Sequence, residues 1–305
     1  MNVLITSGGG AKGAFSVGAL QYLLNETDIG GFDFISGTST GALIAGMVGA
    51  GKTGMLEEIY LNTANADIMK PVNLVDSLLQ GRPYVYDSEP LAKQITTQMD
   101  AVAYKKIMQS SATICFNSVC LQTGKLSVFA SKAVLPDRHY DSFLIDSKEM
   151  LANAMLSSSN QAVFMNPVLI GNQQFVDGGN KEVVPTRVVV NNLPKNETHD
   201  IYILSNNPTD LVRIDKSFDD ILSVLMRSIS IFIHEVREND LEVLSTFKKI
   251  SPSKVRIFYI SPEDELDVDF PTGLRFDNVR MQKWMSQGKR KARKIIKDHP
   301  EGNMF

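Results

Sequence analysis

Cysteine is nearly missing from this sequence: Cys115 and Cys120 are the two thiols in 305 residues. That is too few for a disulfide framework. Both fall in the apolar run Ala112 to Leu121, so buried, reduced thiols are expected. Long hydrophobic runs are missing as well. No window approaches the ~18 unbroken apolar residues of a bilayer span, and the Gly41–Gly51 segment is too short and too glycine-rich for one. The first residues, Met1-Asn2-Val3-Leu4-Ile5-Thr6, carry no charged leader and run straight into a strand-like segment. That is not a secretory pattern, so a cytoplasmic protein is expected. The sequon Asn196-Glu197-Thr198 has no meaning in that setting. A strong charge of either sign is also lacking. The formal net charge of -3 makes a dedicated nucleic-acid binder a poor reading.

What is present is ordinary globular composition: 43% hydrophobic and 21% charged residues, with Gly 21 and Pro 12. Collagen-like and disordered classes are excluded, and a large core is within reach. Strand-like and helix-like segments alternate. Asn2–Thr6 reads as a strand ended by Ser7 and three glycines, and Ala14 to Leu24 has helical apolar spacing. Phe32–Ser36 reads as a second strand and Thr40 to Ala50 as a second helix. Ala112–Leu121 and Leu126–Ala130 flank Gln122-Thr123-Gly124-Lys125 as a hairpin. Later come a helix from Ser147, strands at Phe175-Val176, Ile201–Leu204 and Val255–Ile260, and a final helix over Val279–Lys297. The helical region from Phe218 to Ile250 is apolar nearly all round at its start, which predicts burial. Pro71 to Pro90 reads as an irregular surface excursion. Alternation of this kind predicts a parallel or mixed sheet with helices on its faces. No linker divides residues 1–305, so one domain is the simplest account.

Three glycine-rich patterns compete for the function. Gly8-Gly9-Gly10-Ala11-Lys12-Gly13 fits G-x-G-x-x-G, a dinucleotide fingerprint. That site needs an acidic residue at the carboxyl end of the second strand, and Asp33 sits near its beginning. Gly46 to Thr53 fits G-x-x-x-x-G-K-[ST], a phosphate loop. A buried strand should lead into it, yet Ala42-Leu43-Ile44-Ala45 reads as helix, with Gly49 and Gly51 as its stop. Gly37-Thr38-Ser39-Thr40-Gly41 fits the nucleophile elbow G-x-S-x-G, and here the strand-turn-helix context is right. The serine would stand at a helix N-terminus, where amides favour developing negative charge. In a parallel sheet Gly8–Gly10 would lie beside it, and consecutive glycine amides make a nest for an oxyanion. Nothing around His139, His199, His234 or His299 marks a base, although Asp177 followed by His199 has the order of an α/β-hydrolase. Asp177-Gly178-Gly179 closes an apolar strand, Gln174-Phe175-Val176.

Taken together, Gly8–Gly13, the Gly37–Gly41 elbow and Asp177–Gly179 resemble the patatin-like phospholipases in order and spacing, and softer similarity covers nearly the whole chain. The resemblance implies a three-layer α/β/α sandwich with a mainly parallel central sheet. It implies a Ser39–Asp177 dyad without histidine, with Gly8, Gly9 and Gly10, helped by Lys12, as the oxyanion hole. Gly13, Gly37, Gly41, Gly178 and Gly179 would support the motifs. Acyl esters of phospholipids or lysophospholipids would be the substrates, through an acyl-enzyme, with neither cofactor nor metal. Acyl transfer to another alcohol is the alternative on the same site, and a nucleotide-binding protein using Gly46–Thr53 is the alternative from another class. One departure is the stretch Ser157 to Pro167, where many members are proline-rich and this chain keeps only Pro167; it puts acyl-chain or head-group preference in doubt.

Two surfaces are candidates for meeting lipid. In the 279–297 helix, Met281, Trp284, Met285, Gly288, Ala292, Ile295 and Ile296 form a stripe flanked by Lys289, Arg290, Lys291 and other cations. Such a helix lies on a membrane surface or packs its stripe on the core. Tyr84 and Tyr86 in the Pro71–Pro90 stretch are a second candidate. The acidic run Glu263-Asp264-Glu265 and Asp267-Val268-Asp269 reads as a solvated loop, since no glycine-turned calcium loop accompanies it.

Overall fold

The short apolar runs near the amino terminus become central strands, buried on both faces as a sheet covered by helices requires. The computed structural model describes residues 1–73, 77, 79–215, 217–267 and 273–304. Among the described residues, nine strands form the main sheet: β1 (Asn2–Thr6), β2 (Phe34–Thr38), β3 (Thr113–Cys120), β4 (Leu126–Ala130), β5 (Tyr140–Leu144), β6 (Val168–Ile170), β7 (Gln173–Asp177), β8 (Thr198–Leu204) and β9 (Lys254–Ile260). Their order is β9-β8-β1-β2-β3-β4-β5, with β7 against β3 and β6 against β7. Pairing is parallel from β9 through β3 and again between β4 and β5. It is antiparallel for β3–β4, β3–β7 and β6–β7.

Helices cover both faces. Among the described residues, those longer than one turn are α1 (Gly13–Asn25), α2 (Thr40–Gly49), α3 (Leu56–Asn62), α4 (Glu89–Gln98), α5 (Ala101–Gln109), α6 (Lys148–Ser159), α7 (Arg187–Asn192), α8 (Ile221–Ile250) and α9 (Asn278–Asp298). Strand residues alternate between two cores, as the two-residue side-chain period demands. Leu4, Ile35, Ile114 and Phe258 pack with α1, α2 and α9, while Val3, Ile5, Phe34 and Ile257 pack with Val188 of α7 and Leu241 and Leu244 of α8. The three-layer α/β/α sandwich with a mainly parallel sheet is therefore the observed fold.

Several local expectations shift. The second strand runs Phe34–Thr38 rather than Phe32–Ser36, because pairing with β1 and β3 carries it through Gly37 and Thr38 to the elbow itself. Phe32 instead sets its ring edge against Tyr202 at 6.1 Å. Cys115 and Cys120 are free and buried, and burial pushes the Cys115 thiol well up. In the Pro71–Pro90 stretch, Lys70–Pro71 pairs with Tyr86–Asp87, and residues 74–76 and 78 lie outside the described residues.

The terminal helix is amphipathic, yet its stripe is not free to meet a membrane. Met281, Trp284, Met285, Gly288, Ala292 and Ile295 are buried. A Cβ on Gly18 would strike the Met285 backbone, and one on Gly288 would strike the Phe15 carbonyl, so bare glycines let α1 and α9 approach. Outside that seam Lys289 and Arg293 share Glu26, at 2.9 and 2.5 Å. The acidic run is likewise more than a solvated loop. Asp267 is 1% exposed and accepts hydrogen bonds from Arg275 and Arg280, while residues 268–272 lie outside the described residues.

Candidate active site

Strand register explains why Ser39 and Asp177, far apart in sequence, meet. β2 ends with Thr38 opposite Asn117 of β3. The next residue of β3, Ser118, is opposite Asp177, the last residue of β7. β2 and β7 therefore arrive at the same point of β3 from opposite directions. Ser39 follows one strand end and Asp177 is the other.

Ser39 adopts φ 59°, ψ −129°, a conformation that costs a residue with a side chain ~1–3 kcal/mol and persists only where neighbours enforce it. Its amide donates to Ser158 Oγ at 3.0 Å, and that hydroxyl donates to the Asn117 carbonyl at 2.7 Å. Its carbonyl accepts from the Ala42 amide at 2.9 Å and from Ser159 Oγ at 3.2 Å. The flanking glycines are required by contact. A Cβ on Gly37 would strike the Gly41 backbone, and one on Gly41 would strike the Thr6 carbonyl. Gly13 lies against the Thr40 and Tyr60 hydroxyls in the same way, and Gly178 against the Asn117 carbonyl.

Asp177 is 7% exposed, and its amide donates to the Asn160 carbonyl at 2.9 Å. Burial pushes its carboxyl up to about 6; hydrogen bonds from the Ser39 side chain and the Gly179 amide pull the other way without cancelling that rise. The Gly179 bond is 2.7 Å. Desolvation dominates because the carboxylate has lost water and, among the described residues, meets no cation.

The glycine-rich loop lies alongside: a Cβ on Gly8 would stand 3.2 Å from Ser39 Cβ. Gly9 (φ 149°) and Gly10 (φ 56°) take backbone conformations that only glycine adopts cheaply. The loop is fastened by Gly8 N–H to the Val183 carbonyl (3.2 Å) and Ala11 N–H to the Gly273 carbonyl (2.8 Å). The Gly8 amide is thus engaged by protein, whereas those of Gly9 and Gly10 meet no acceptor among the described residues. Lys12 is 1% exposed, and its ammonium rests on Asn207 Oδ1 and, at 3.0 Å, on Glu265 Oε1. That pairing ties the loop down.

Ser39, Asp177 and Gly8–Gly10 line one cavity of about 680 Å³. Its remaining wall is chiefly apolar, including Leu43, Met47, Ile95, Met99, Phe164 and Phe232. This is the size and chemistry of a pocket that buries a small hydrophobic ligand. Ser158, Ser159 and Asn160, which hold both halves of the pair, come from the segment where the sequence departs from the family pattern. The sequence marks that stretch as a departure, but the hydrogen-bonding role of these residues is not legible in it, because it depends on the distant β3 register.

The competing motifs fall elsewhere. Gly46 to Gly49 lie inside α2, so their amides serve the helix rather than a phosphate. Lys52 Nζ donates to the Gln98 carbonyl and pairs with Asp100 at 3.4 Å. Asp33 caps β1 by accepting the Asn2 amide at 2.7 Å. His199 is the second residue of β8, at the end of the sheet opposite Ser39, and its ring bonds the Pro194 carbonyl. Among the described residues no group of three His, Cys, Asp or Glu side chains could hold a metal ion, and no helix is long and apolar enough to cross a membrane.

The family model for patatin-like phospholipase matches residues 4–211. VipD from Legionella pneumophila is similar at 12% identity and a TM-score of 0.42, covering 98% of this chain and 67% of its own. The type III effector protein ExoU is similar at 12% identity and a TM-score of 0.41, over 95% of this chain and 51% of its own. No match is found among curated proteins. With the family model spanning the elbow, the glycine-rich loop and the Asp-Gly-Gly strand end, this chain belongs to the patatin-like phospholipases, a family of lipid ester hydrolases.

Proposed function

We propose that this protein cleaves acyl esters of glycerophospholipids or lysophospholipids, with Ser39 as nucleophile and Asp177 as its base. The observation that carries the reading is the buried Asp177 carboxyl, raised to about 6 by desolvation and lining the same apolar cavity as Ser39. A carboxylate at the usual ~3.9 is too weak a base for a serine hydroxyl. Desolvation makes it stronger and still leaves it ionised at neutral pH.

In the first half-reaction Ser39 Oγ attacks the ester carbonyl carbon and passes its proton to Asp177. The oxyanion forms against the Gly9 and Gly10 amides, which meet no acceptor among the described residues and so are ready to donate. Collapse breaks the C–O bond, and Asp177 returns the proton to the departing alcohol. Water then attacks the acyl-enzyme, giving its proton to Asp177, and a second collapse releases the fatty acid and restores Ser39. Lys12 acts through position, holding the loop by its pairing with Asn207 and Glu265.

Fatty-acid release from lysophosphatidylcholine measures this directly. Since the base works only when ionised, kcat/KM falls about tenfold per pH unit below the Asp177 value of about 6 and levels off above it. A rate that stays flat from about pH 4 to about pH 8 contradicts the assignment.

A further inference from the structure

The amino-terminal half of α8 departs from expectation: instead of being buried it is open. Ile221 is 89% exposed and Phe232 66%, and Val224, Leu225 and Ile231 are exposed as well. The same helix becomes ordinary core further on, where Asp240, Leu241 and Leu244 are buried. Its exposed start is well formed, with Asp220 capping it through the Ser223 amide at 2.9 Å.

This open half adjoins the cavity of the candidate site. Leu225 and Phe232 line that cavity while exposed to solvent, so they stand at its mouth. Val163, from the loop before β6, also lines the cavity, is 67% exposed, and has φ 72°. A β-branched residue rarely tolerates that backbone. Among the described residues, Ser39, Val163 and Asn196 are the non-glycine residues with positive φ, and the first two line this cavity. Such strain clusters where function holds it. Here it keeps an apolar side chain in water at the cavity mouth. On the helix, Ile221, Val224 and Ile231 extend the apolar surface from the mouth outward, since positions three and seven apart share a face.

We propose that this face, made by the first half of α8 with Val163, seats the cavity mouth on a lipid layer, so that an acyl chain passes from the layer to Ser39 without crossing water. The proposal rests on the acyl-hydrolase reading for its purpose. A lipid layer fits better than a charged partner. Residues 210–220, leading into the helix, contain Asp210, Asp215, Asp219 and Asp220 against Arg213 and Lys216. An acidic neighbourhood gains nothing from anionic lipid, so apolar insertion supplies the attraction. This distinguishes the face from the basic α9, whose stripe is occupied by α1.

The test joins Ile221→Ser, Val224→Ser and Ile231→Ser in one variant, all exposed positions outside the cavity lining. Flotation with phosphatidylcholine vesicles is measured in a Ser39→Ala background, where binding is read without turnover. Hydrolysis of a water-soluble short-chain ester is measured with Ser39 present, and the sedimentation mass of both proteins is recorded. Vesicle partitioning falls at least about tenfold, with little response to salt, while short-chain ester hydrolysis stays within about twofold. Unchanged partitioning overturns the proposal, as does binding confined to anionic vesicles. A dimer that the substitutions dissociate, with vesicle binding intact, overturns it in favour of a second copy of the chain. A wild type that binds vesicles but cleaves no short-chain ester defeats the acyl-hydrolase reading and leaves the lipid-binding face standing.

Discussion

Asp177→Asn abolishes turnover and leaves a protein that folds and melts higher than wild type. The loss is about 10²–10⁴ in kcat, the scale on which general-base contributions operate. The amide cannot accept the serine proton, although its oxygen can still take the Gly179 amide as the carboxylate does now. The stability change has the opposite sign, for a definite reason. The folded-state value is raised from 3.8 to about 6, so folding favours the protonated carboxyl. That preference is fully satisfied below the unfolded value and is lost as pH rises through about 6. At ~1.4 kcal/mol per pH unit, the ionised form costs the fold roughly 3 kcal/mol above that range. Asparagine carries no such cost. Thermal melts of the two proteins therefore separate most above about pH 7 and converge toward about pH 4. Near-wild-type turnover in the folded variant contradicts the dyad, and a variant that melts lower at every pH contradicts the buried, uncompensated carboxylate.

Gly10→Ala is expected to cost about 10²–10³ in kcat, the usual effect of losing one oxyanion donor. Gly10 has φ 56°, and a Cβ there would strike the carbonyl of Gly273, whose own Cβ position strikes the Gly9 carbonyl. The loops touch backbone to backbone, so a single methyl displaces the Gly9–Gly10 backbone that lines the cavity. Gly30→Ala provides the control. Gly30 also has positive φ, at 69°, but nothing lies within 4 Å of its Cβ position. It bears the conformational cost of about 1 kcal/mol without moving any part of the site. Turnover of Gly10→Ala equal to that of Gly30→Ala would remove the loop from the reaction.

The parts of the site that are contiguous in sequence were readable, because their constraints are local. An elbow needs glycine two positions either side of its serine, and the strand-turn-helix pattern around Ser39 shows as much. The parts built by long-range register were not. Ser158 and Asn160 hold the elbow and Asp177 only because β2 and β7 end against adjacent residues of β3. The engagement of the Gly8 amide depends in the same way on Val183. Apolar periodicity located α8 and α9 correctly but could not say what their stripes face. α9 meets the glycine-notched side of α1, and the first half of α8 meets a cavity and solvent. Burial of Asp267 was equally invisible, since nothing local in the sequence ties it to its partners Arg275, just before α9, and Arg280, in its first turn.

The most direct test of the account is the intact mass of wild type and Ser39→Ala after exposure to a fluorophosphonate ester, which reacts covalently with an activated serine. Wild type takes up one adduct and Ser39→Ala none. An adduct of equal yield on the variant, or none on folded wild type, contradicts Ser39 as the nucleophile.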